Sequence, residues 1–244
     1  MKCLFLAYTI VPPTDPFMTS PLKASLCRVA VVEDHTIMRE GLKLLVTTIG
    51  GFEWAWMAAT AGEAAKMLEQ DMPDLLLVDI TLPDRNGLEL IKDLHTLYPS
   101  LKMMVLSMHD EKLYVQRALR AGARGYLTKD ASHADYEKAL RRVAGGGVSV
   151  SDSLSEEILL AFAMGGTRAQ SKDGLDSLTD RELEIFQLLG EGLSTPQIAD
   201  ALRISTKTVD VHKMNIRTKL QLEDGSAVVR YAIRWFETRR LGTT

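Results

Sequence analysis

Apolar positions in the first half of the chain fall into short, nearly continuous runs separated by longer amphipathic stretches. The runs are "RVAVVE" (28–33), "EWAWMAA" (53–59), "DLLLVD" (74–79), "KMMVLS" (102–107) and "GYLT" (125–128). Between them, segments near 36–49, 62–70, 87–97, 111–121 and 132–144 repeat their apolar residues at three- and four-residue steps, as Met38, Leu42, Leu45, Val46 and Ile49 do in the first. Such spacing predicts amphipathic helices. Strands that are apolar on both faces and alternate with helices predict one parallel five-stranded sheet with helices on either side.

The pattern changes after residue 146. "GGGVSVSDSLSEEILLAFAMGGTRAQSKDGLDS" brackets one helix-like piece, "LSEEILLAFAM" (154–164), with glycine clusters and polar tracts that read as linker. From residue 178 onward every periodic segment is helical. Thr179 with Glu182 three residues later makes a capping box for "RELEIFQLLG"; Ser194 with Gln197, and Pro196 in the first turn, open "TPQIADAL". A brief "RIS" turn leads to "TKTVDVHKMNIRTKL", which gives a helix-turn-helix unit, and "SAVVRYAIRWFE" closes the chain as a further helix. The expected organisation is an extension (1–27), an α/β domain (28–146), a linker (147–176) and an all-α helix-turn-helix domain (177–244).

Composition narrows the class without naming it. With 244 residues, 46% hydrophobic and 25% charged, the chain has the balance of a soluble two-domain protein. A net charge of −3 means that any nucleic-acid role must rest on a local cluster. Cys3 and Cys27 are too few for a disulfide framework or a four-cysteine zinc site, which fits a reducing, cytoplasmic setting. The start, "MKCLFLAYTIVPPTDPFMTS", lacks a small-residue cleavage pattern, and Met18 stands in frame just before the globular pattern begins, so the first 17 residues read as an extension or a misplaced start. No run approaches the roughly 20 apolar residues of a membrane span.

The chemistry gathers at strand ends. Glu33 and Asp34 follow the first strand, Asp79 the third, Ser107 the fourth and Lys129 the fifth. In an open parallel sheet those ends converge on one crevice. Three carboxylates held together repel one another unless a hard cation shares them, and Mg²⁺, which prefers oxygen ligands and retains waters, suits such a site. The added ammonium and hydroxyl argue for more than a metal site: a carboxylate can act as a nucleophile toward phosphorus, and Asp79, Mg²⁺, Lys129 and Ser107 supply what an aspartyl phosphate requires. Any one of these residues alone would be an ordinary turn or capping residue.

"VVEDHTIMREGL", "LLLVDITLPDRNGLEL", "VLSMHDE" and "GYLTKDAS" together resemble the receiver domain of bacterial two-component response regulators. The resemblance implies a flavodoxin-like, doubly wound α/β fold. It makes Asp79 the acceptor of a phosphoryl group from a sensor histidine kinase, and it makes Glu33, Asp34, Asp79 and the Thr81 carbonyl the ligands of Mg²⁺. Lys129 and Ser107 would contact the phosphoryl group, and Tyr126 would be the aromatic that turns inward with the Ser107 movement. Pro83 and Gly87 match the turn and helix start that follow the acceptor. Met108 stands where smaller residues are common in that superfamily, and is expected to narrow access to the pocket.

In the helix-turn-helix, Val209, His212, Ile216 and Leu220 form the inward stripe, with His212 read as a packed, hydrogen-bonded residue. From Arg203 to Lys219 five basic residues stand against one acidic, a local net charge of +4. Such a patch suits phosphate neutralisation when it lies on the second helix of a helix-turn-helix. "LTDRELEIFQLLGEGLSTPQIADALRISTKTVDVHKMNIRTKL" resembles the LuxR-type DNA-binding domain, and the combination resembles the NarL/FixJ class of response regulators. By residue match, Asp210, Val211 and Met214 would face base edges, while Lys207, Thr208, Lys213 and Arg217 would hold phosphates. The implied partners are a sensor histidine kinase, duplex DNA at promoters, a second copy of the chain on phosphorylation, and RNA polymerase. In the closing helix, Val228, Tyr231, Ala232 and Trp235 form a stripe that reads either as a dimer surface or as packing within its own domain. Two other classes compete, a Mg²⁺-dependent phosphohydrolase and a DNA-binding protein with a degenerate receiver. The acid pair, the attached DNA-binding unit and the complete pocket favour a regulator that is modified once over a turnover enzyme.

Overall fold

A computed structural model describes residues 26–108, 112–151 and 174–241. The expected helix at 154–164 and the segment 1–25 lie outside them. Five strands, β1 (Cys27–Val32), β2 (Phe52–Ala58), β3 (Leu75–Asp79), β4 (Lys102–Ser107) and β5 (Gly125–Thr128), form one parallel sheet in the order β2-β1-β3-β4-β5. The expected extension through residue 27 ends too late, because Cys27 already pairs with Phe52 and its N–H donates to the Gly51 carbonyl at 3.0 Å.

Alternate residues of each central strand enter different cores, as side chains on opposite faces of a pleated strand must. Val29, Val31, Leu75, Leu77, Met104 and Leu106 pack against α1 (Thr36–Thr48) and α5 (His133–Ala144) through Leu42, Val46, Leu140 and Val143. Ala30, Val32, Leu76, Val78, Met103 and Val105 face α2 (Ala61–Gln70), α3 (Gly87–Leu97) and α4 (Lys112–Ala121) through Leu68, Leu88, Ile91, Leu94 and Ala118. This is the doubly wound arrangement the apolar runs predict. Leu75, Leu76, Leu77 and Val78 are fully buried. At about 1.5–3 kcal/mol for each buried side chain, they outweigh the several kcal/mol that burial of the Asp79 carboxylate costs at the end of the same strand.

The turn after β3 is closed by glycine. Gly87 N–H donates to the Ile80 carbonyl at 2.7 Å, and a Cβ at Gly87 would lie 1.9 Å from the Asp79 carbonyl oxygen. Asn86 caps α3 by accepting from Leu88 N–H at 2.9 Å. The chain thus turns sharply enough to leave Asp79 facing the crevice at the end of β1 and β3.

Helices α6 (Asp180–Gly190), α7 (Thr195–Ala201), α8 (Thr206–Lys219) and α9 (Gly225–Leu241) follow a short 3₁₀ turn, Leu175–Ser177. Both expected capping boxes are present, at Thr179/Glu182 and at Ser194/Gln197. Their core joins Phe186, Ile198, Val209, Ile216, Val228 and Ala232, and it is continuous with the α2–α4 side of the sheet. The α9 stripe packs within its own unit: Val228 and Ala232 are fully buried, and Tyr231 and Trp235 set their rings edge-on to Phe186 at 5.6 Å. Gly190 permits that approach, since a Cβ there would meet the Ala232 carbonyl oxygen at 2.8 Å.

Gly87→Ala is expected to lower the unfolding free energy by more than about 2 kcal/mol in urea titrations, because backbone must move. Gly41→Ala, on the exposed face of α1 with nothing within 4 Å, is expected to raise it by roughly 0.5–1 kcal/mol. Equal effects would contradict this account of the turn.

Candidate phosphoryl-acceptor pocket and nucleic-acid interface

The strand-end residues do converge. Lys129, just past β5, places Nζ 2.9 Å from Asp79 Oδ2 and 2.7 Å from Glu33 Oε2. Its backbone N–H donates to the Ser107 carbonyl at 2.7 Å, which ties the end of β5 to the end of β4. Glu33, Asp79 and Ser107 are all buried. Donor atoms of Glu33, Asp34, His35 and Asp79 lie within 4.8 Å of one another. Thr81 follows in the β3–α3 turn, its backbone bonded to the Asp79 carboxylate. Tyr126 is buried in β5, and its N–H donates to the Ser149 carbonyl at 2.8 Å.

Burial pushes the Asp79 carboxyl up to about 7; the Lys129 ammonium opposes that rise and the Glu33 carboxylate adds to it. Burial also works against the charge on Lys129, but Asp79 and Glu33 outweigh it and hold the lysine above its ordinary value. Glu33 Oε2, Asp34 Oδ1 and Asp79 Oδ2 have cations or His35 close by but no aligned hydrogen bond. An all-oxygen set of buried acceptors with lone pairs to spare fits Mg²⁺.

Several residues at this site carry no signal in the sequence. His35 N–H donates to Glu33 Oε1 at 3.0 Å, and Arg39 Nη1 donates to the Glu33 and Asp34 carbonyls at 2.7 and 2.8 Å. Arg203, from the turn between α7 and α8, pairs with Asp34 Oδ2 at 3.0 Å. Its neighbours extend the contact between the two units. Asn86 Nδ2 donates to Glu184 Oε2 at 3.1 Å; Arg117 donates to Asp180 Oδ1 at 2.8 Å and to the Leu178 and Leu175 carbonyls. Met108, expected to narrow access to the pocket, is 73% exposed, and Arg203 reaches the site from the helical unit.

On α8, Ser205 caps the helix by accepting from Thr208 N–H at 3.0 Å. Val209 and Ile216 are buried, as the stripe predicts. His212 is half-buried, and burial lowers its pKa. Its Nδ1 has no hydrogen-bond partner among the described residues. The opposite face is open: Val211 and Met214 are 45% and 54% exposed, and Lys207, Thr208, Asp210 and Arg217 are exposed too. Lys213 is only partly so, and its Nζ donates to Thr195 Oγ1 at 3.1 Å. Lys219, counted in the basic patch, is committed to Glu182 at 2.6 Å.

Comparison with known proteins agrees with this geometry. Residues 29–141 match the response regulator receiver domain, and residues 176–232 match the bacterial regulatory proteins of the luxR family. The chain therefore belongs to the two-component response regulators that join a receiver to a LuxR-type DNA-binding domain, a class of transcription regulators. Among its relatives are the transcriptional regulatory protein DegU of Brevibacillus brevis, 30% identical over 91% of this chain and 100% of that protein, and the oxygen regulatory protein NreC of Staphylococcus aureus, 31% identical over 85% and 97%. The solved RcsB response regulator of Salmonella typhimurium is 25% identical over 84% of this chain and 97% of its own, with a TM-score of 0.51. Among the described residues no helix is long and apolar enough to cross a membrane.

A folded-state pKa above the unfolded value of 3.8 means that folding favours the protonated Asp79. Its cost to stability is therefore absent below pH 3.8 and complete above about pH 7. In metal-free buffer at pH 7.5, Asp79→Asn is expected to raise the melting temperature by about 2–4 °C per kcal/mol of relieved cost. The gain should shrink toward pH 5 and with added Mg²⁺; a gain independent of both would contradict the stated cause.

Proposed function

We propose that Asp79 accepts a phosphoryl group from a partner histidine kinase, and that the modified receiver changes how the helical unit engages DNA. The observation that carries this reading is the placement of one ammonium, Lys129, against both Asp79 and Glu33 in a carboxylate-rich pocket. An Asp79 carboxylate oxygen attacks phosphorus, the phosphorus–nitrogen bond of a phosphohistidine breaks, and its electron pair leaves with the imidazole. Lys129 remains beside the transferred group and balances its charge. The Ser107 hydroxyl, at the end of the neighbouring strand, donates to a phosphoryl oxygen. Glu33, Asp34, Asp79 and the Thr81 carbonyl would hold Mg²⁺, which when bound offsets negative charge on the phosphoryl oxygens. Tyr126, buried in β5, is the aromatic that turns inward as Ser107 moves onto the phosphoryl group.

On DNA, the exposed Asp210, Val211 and Met214 face base edges of the major groove while Lys207, Thr208, Lys213 and Arg217 meet phosphates. Two copies on paired half-sites would form the active species. The protein works as a stoichiometric signal carrier in a reducing, cytoplasmic setting, modified about once per cycle and not as a turnover enzyme.

Incubation with acetyl phosphate and Mg²⁺ is expected to add the mass of one phosphoryl group to the intact chain, and Asp79→Ala to add none. Addition that survives this substitution would overturn the assignment. In a salt titration of binding to an operator selected from random duplex DNA, Lys207→Ala and Arg217→Ala should each lower the slope of log affinity against log salt by about 1. Met214→Ala should leave the slope alone and change base preference; the reverse pattern would displace these residues from their roles.

A further inference from the structure

Arg203 occupies an uncommon position. Helix α7 ends in a Schellman turn, with Ile204 N–H donating to the Ala199 carbonyl at 2.9 Å and Arg203 N–H to the Asp200 carbonyl at 3.2 Å. The residue after the cap in that motif is left-handed and usually glycine, yet here Arg203 takes it at φ 51°. A long cationic side chain is thus carried where it strains the backbone, and its guanidinium lies against Asp34. Asp34 belongs, with Glu33, His35 and Asp79, to the cluster that fits a divalent cation.

We propose that the docked helical unit and Mg²⁺ disfavour each other across one carboxylate: Arg203 holds Asp34 through Oδ2, next to the Oδ1 left for the metal, so Mg²⁺ alone, before any phosphoryl transfer, loosens the contact between the two units. This rests on the reading that Glu33, Asp34 and Asp79 bind Mg²⁺. A guanidinium 3.0 Å from Asp34 Oδ2 puts a positive charge beside the dication, and two cations cannot share the carboxylate without repulsion. Linkage is reciprocal, so whatever docking takes from metal affinity, metal takes from docking.

The rest of the interface mixes polar and apolar contacts. Its polar part is Asn86–Glu184 and Arg117 on Asp180 and two carbonyls, beside an apolar core continuous between the two units. Glu184 Oε1 and Gln187 Nε2 are buried without a hydrogen-bond partner among the described residues, and both residues line a cavity of about 70 Å³ beside Thr81 and Tyr114. Unsatisfied buried polar atoms subtract from the stability of the docked state. Docking also leaves Val211 and Met214 exposed, so it does not act by covering these base-facing side chains. What it restrains is the position of the α7–α8 turn, and with it the start of α8.

The test is calorimetric titration of the full chain with MgCl₂ and no phosphodonor, with the radius of gyration followed by X-ray scattering. Arg203→Gly removes the cation and relieves the turn, so it folds. Arg117→Ala weakens docking through Asp180, away from the carboxylate cluster. Expected are a roughly three- to tenfold tighter Mg²⁺ affinity for Arg203→Gly and at least about a twofold gain for Arg117→Ala. The wild-type radius should grow with Mg²⁺, and that of Arg203→Gly should be large from the start. Equal affinities in all three chains would overturn the proposal and leave the metal reading intact. A gain in Arg203→Gly alone, with a radius indifferent to Mg²⁺, would also overturn it, because Arg203 would then be only a local charge. No Mg²⁺ binding in any chain would overturn the metal reading and the proposal together.

Discussion

Three carboxylates at the carboxyl ends of β1 and β3 cannot be buried together without cations, and the arrangement around the site follows from that constraint. The apolar strands carry Glu33 and Asp79 inward, and the Gly87 turn aims Asp79 at the crevice. The β4–β5 register then brings Lys129 alongside through the Ser107 carbonyl. Lys129 offsets only part of the cost of burying Asp79, and burial still favours the neutral carboxyl. The remaining strain on the anionic form is the physical basis for a metal, and for the chemistry a metal allows.

The same constraint explains why a second unit can lean on the first. An anionic pocket attracts any cation the fold can deliver, and the α7–α8 turn delivers Arg203. A helix-turn-helix thereby becomes sensitive to the charge state of a site at the end of a sheet. The coupling requires no long chain of intermediates, since the two parts share a carboxylate. Its strength is limited by the 60% exposure of the Arg203 side chain, which leaves the pair partly screened by water. A weak, reversible hold is what a signal must be able to override.

How much of this could be read from residues alone divides along local and non-local lines. Strand and helix order, both capping boxes and the acid–Ser–Lys set are encoded by short-range periodicity and by which residue ends each strand. They were legible, and the structure brings Glu33, Asp79, Ser107 and Lys129 together. Arg203 gave a different impression: it sits in a basic run, and charge alone assigns it to DNA. Its φ of 51° and its pairing with Asp34, 169 positions away in sequence by difference of the two residue numbers, are tertiary facts with no local signature. Lys219 misleads for the same reason, since its partner Glu182 lies on another helix. The α9 stripe was ambiguous in principle, because an apolar face looks alike whether a second copy or Phe186 covers it.

The most direct test of the central claim, that this pocket's unrelieved negative charge is a divalent-cation site, is anomalous X-ray diffraction from crystals of the protein grown with Mn²⁺ in place of Mg²⁺. The account predicts one strong anomalous peak about 2.0–2.2 Å from carboxylate oxygens of Asp34 and Asp79 and from the Thr81 carbonyl, with Arg203 withdrawn from Asp34. Crystals that hold Mn²⁺ elsewhere while Arg203 stays on Asp34 and no peak appears beside Asp79 would contradict it.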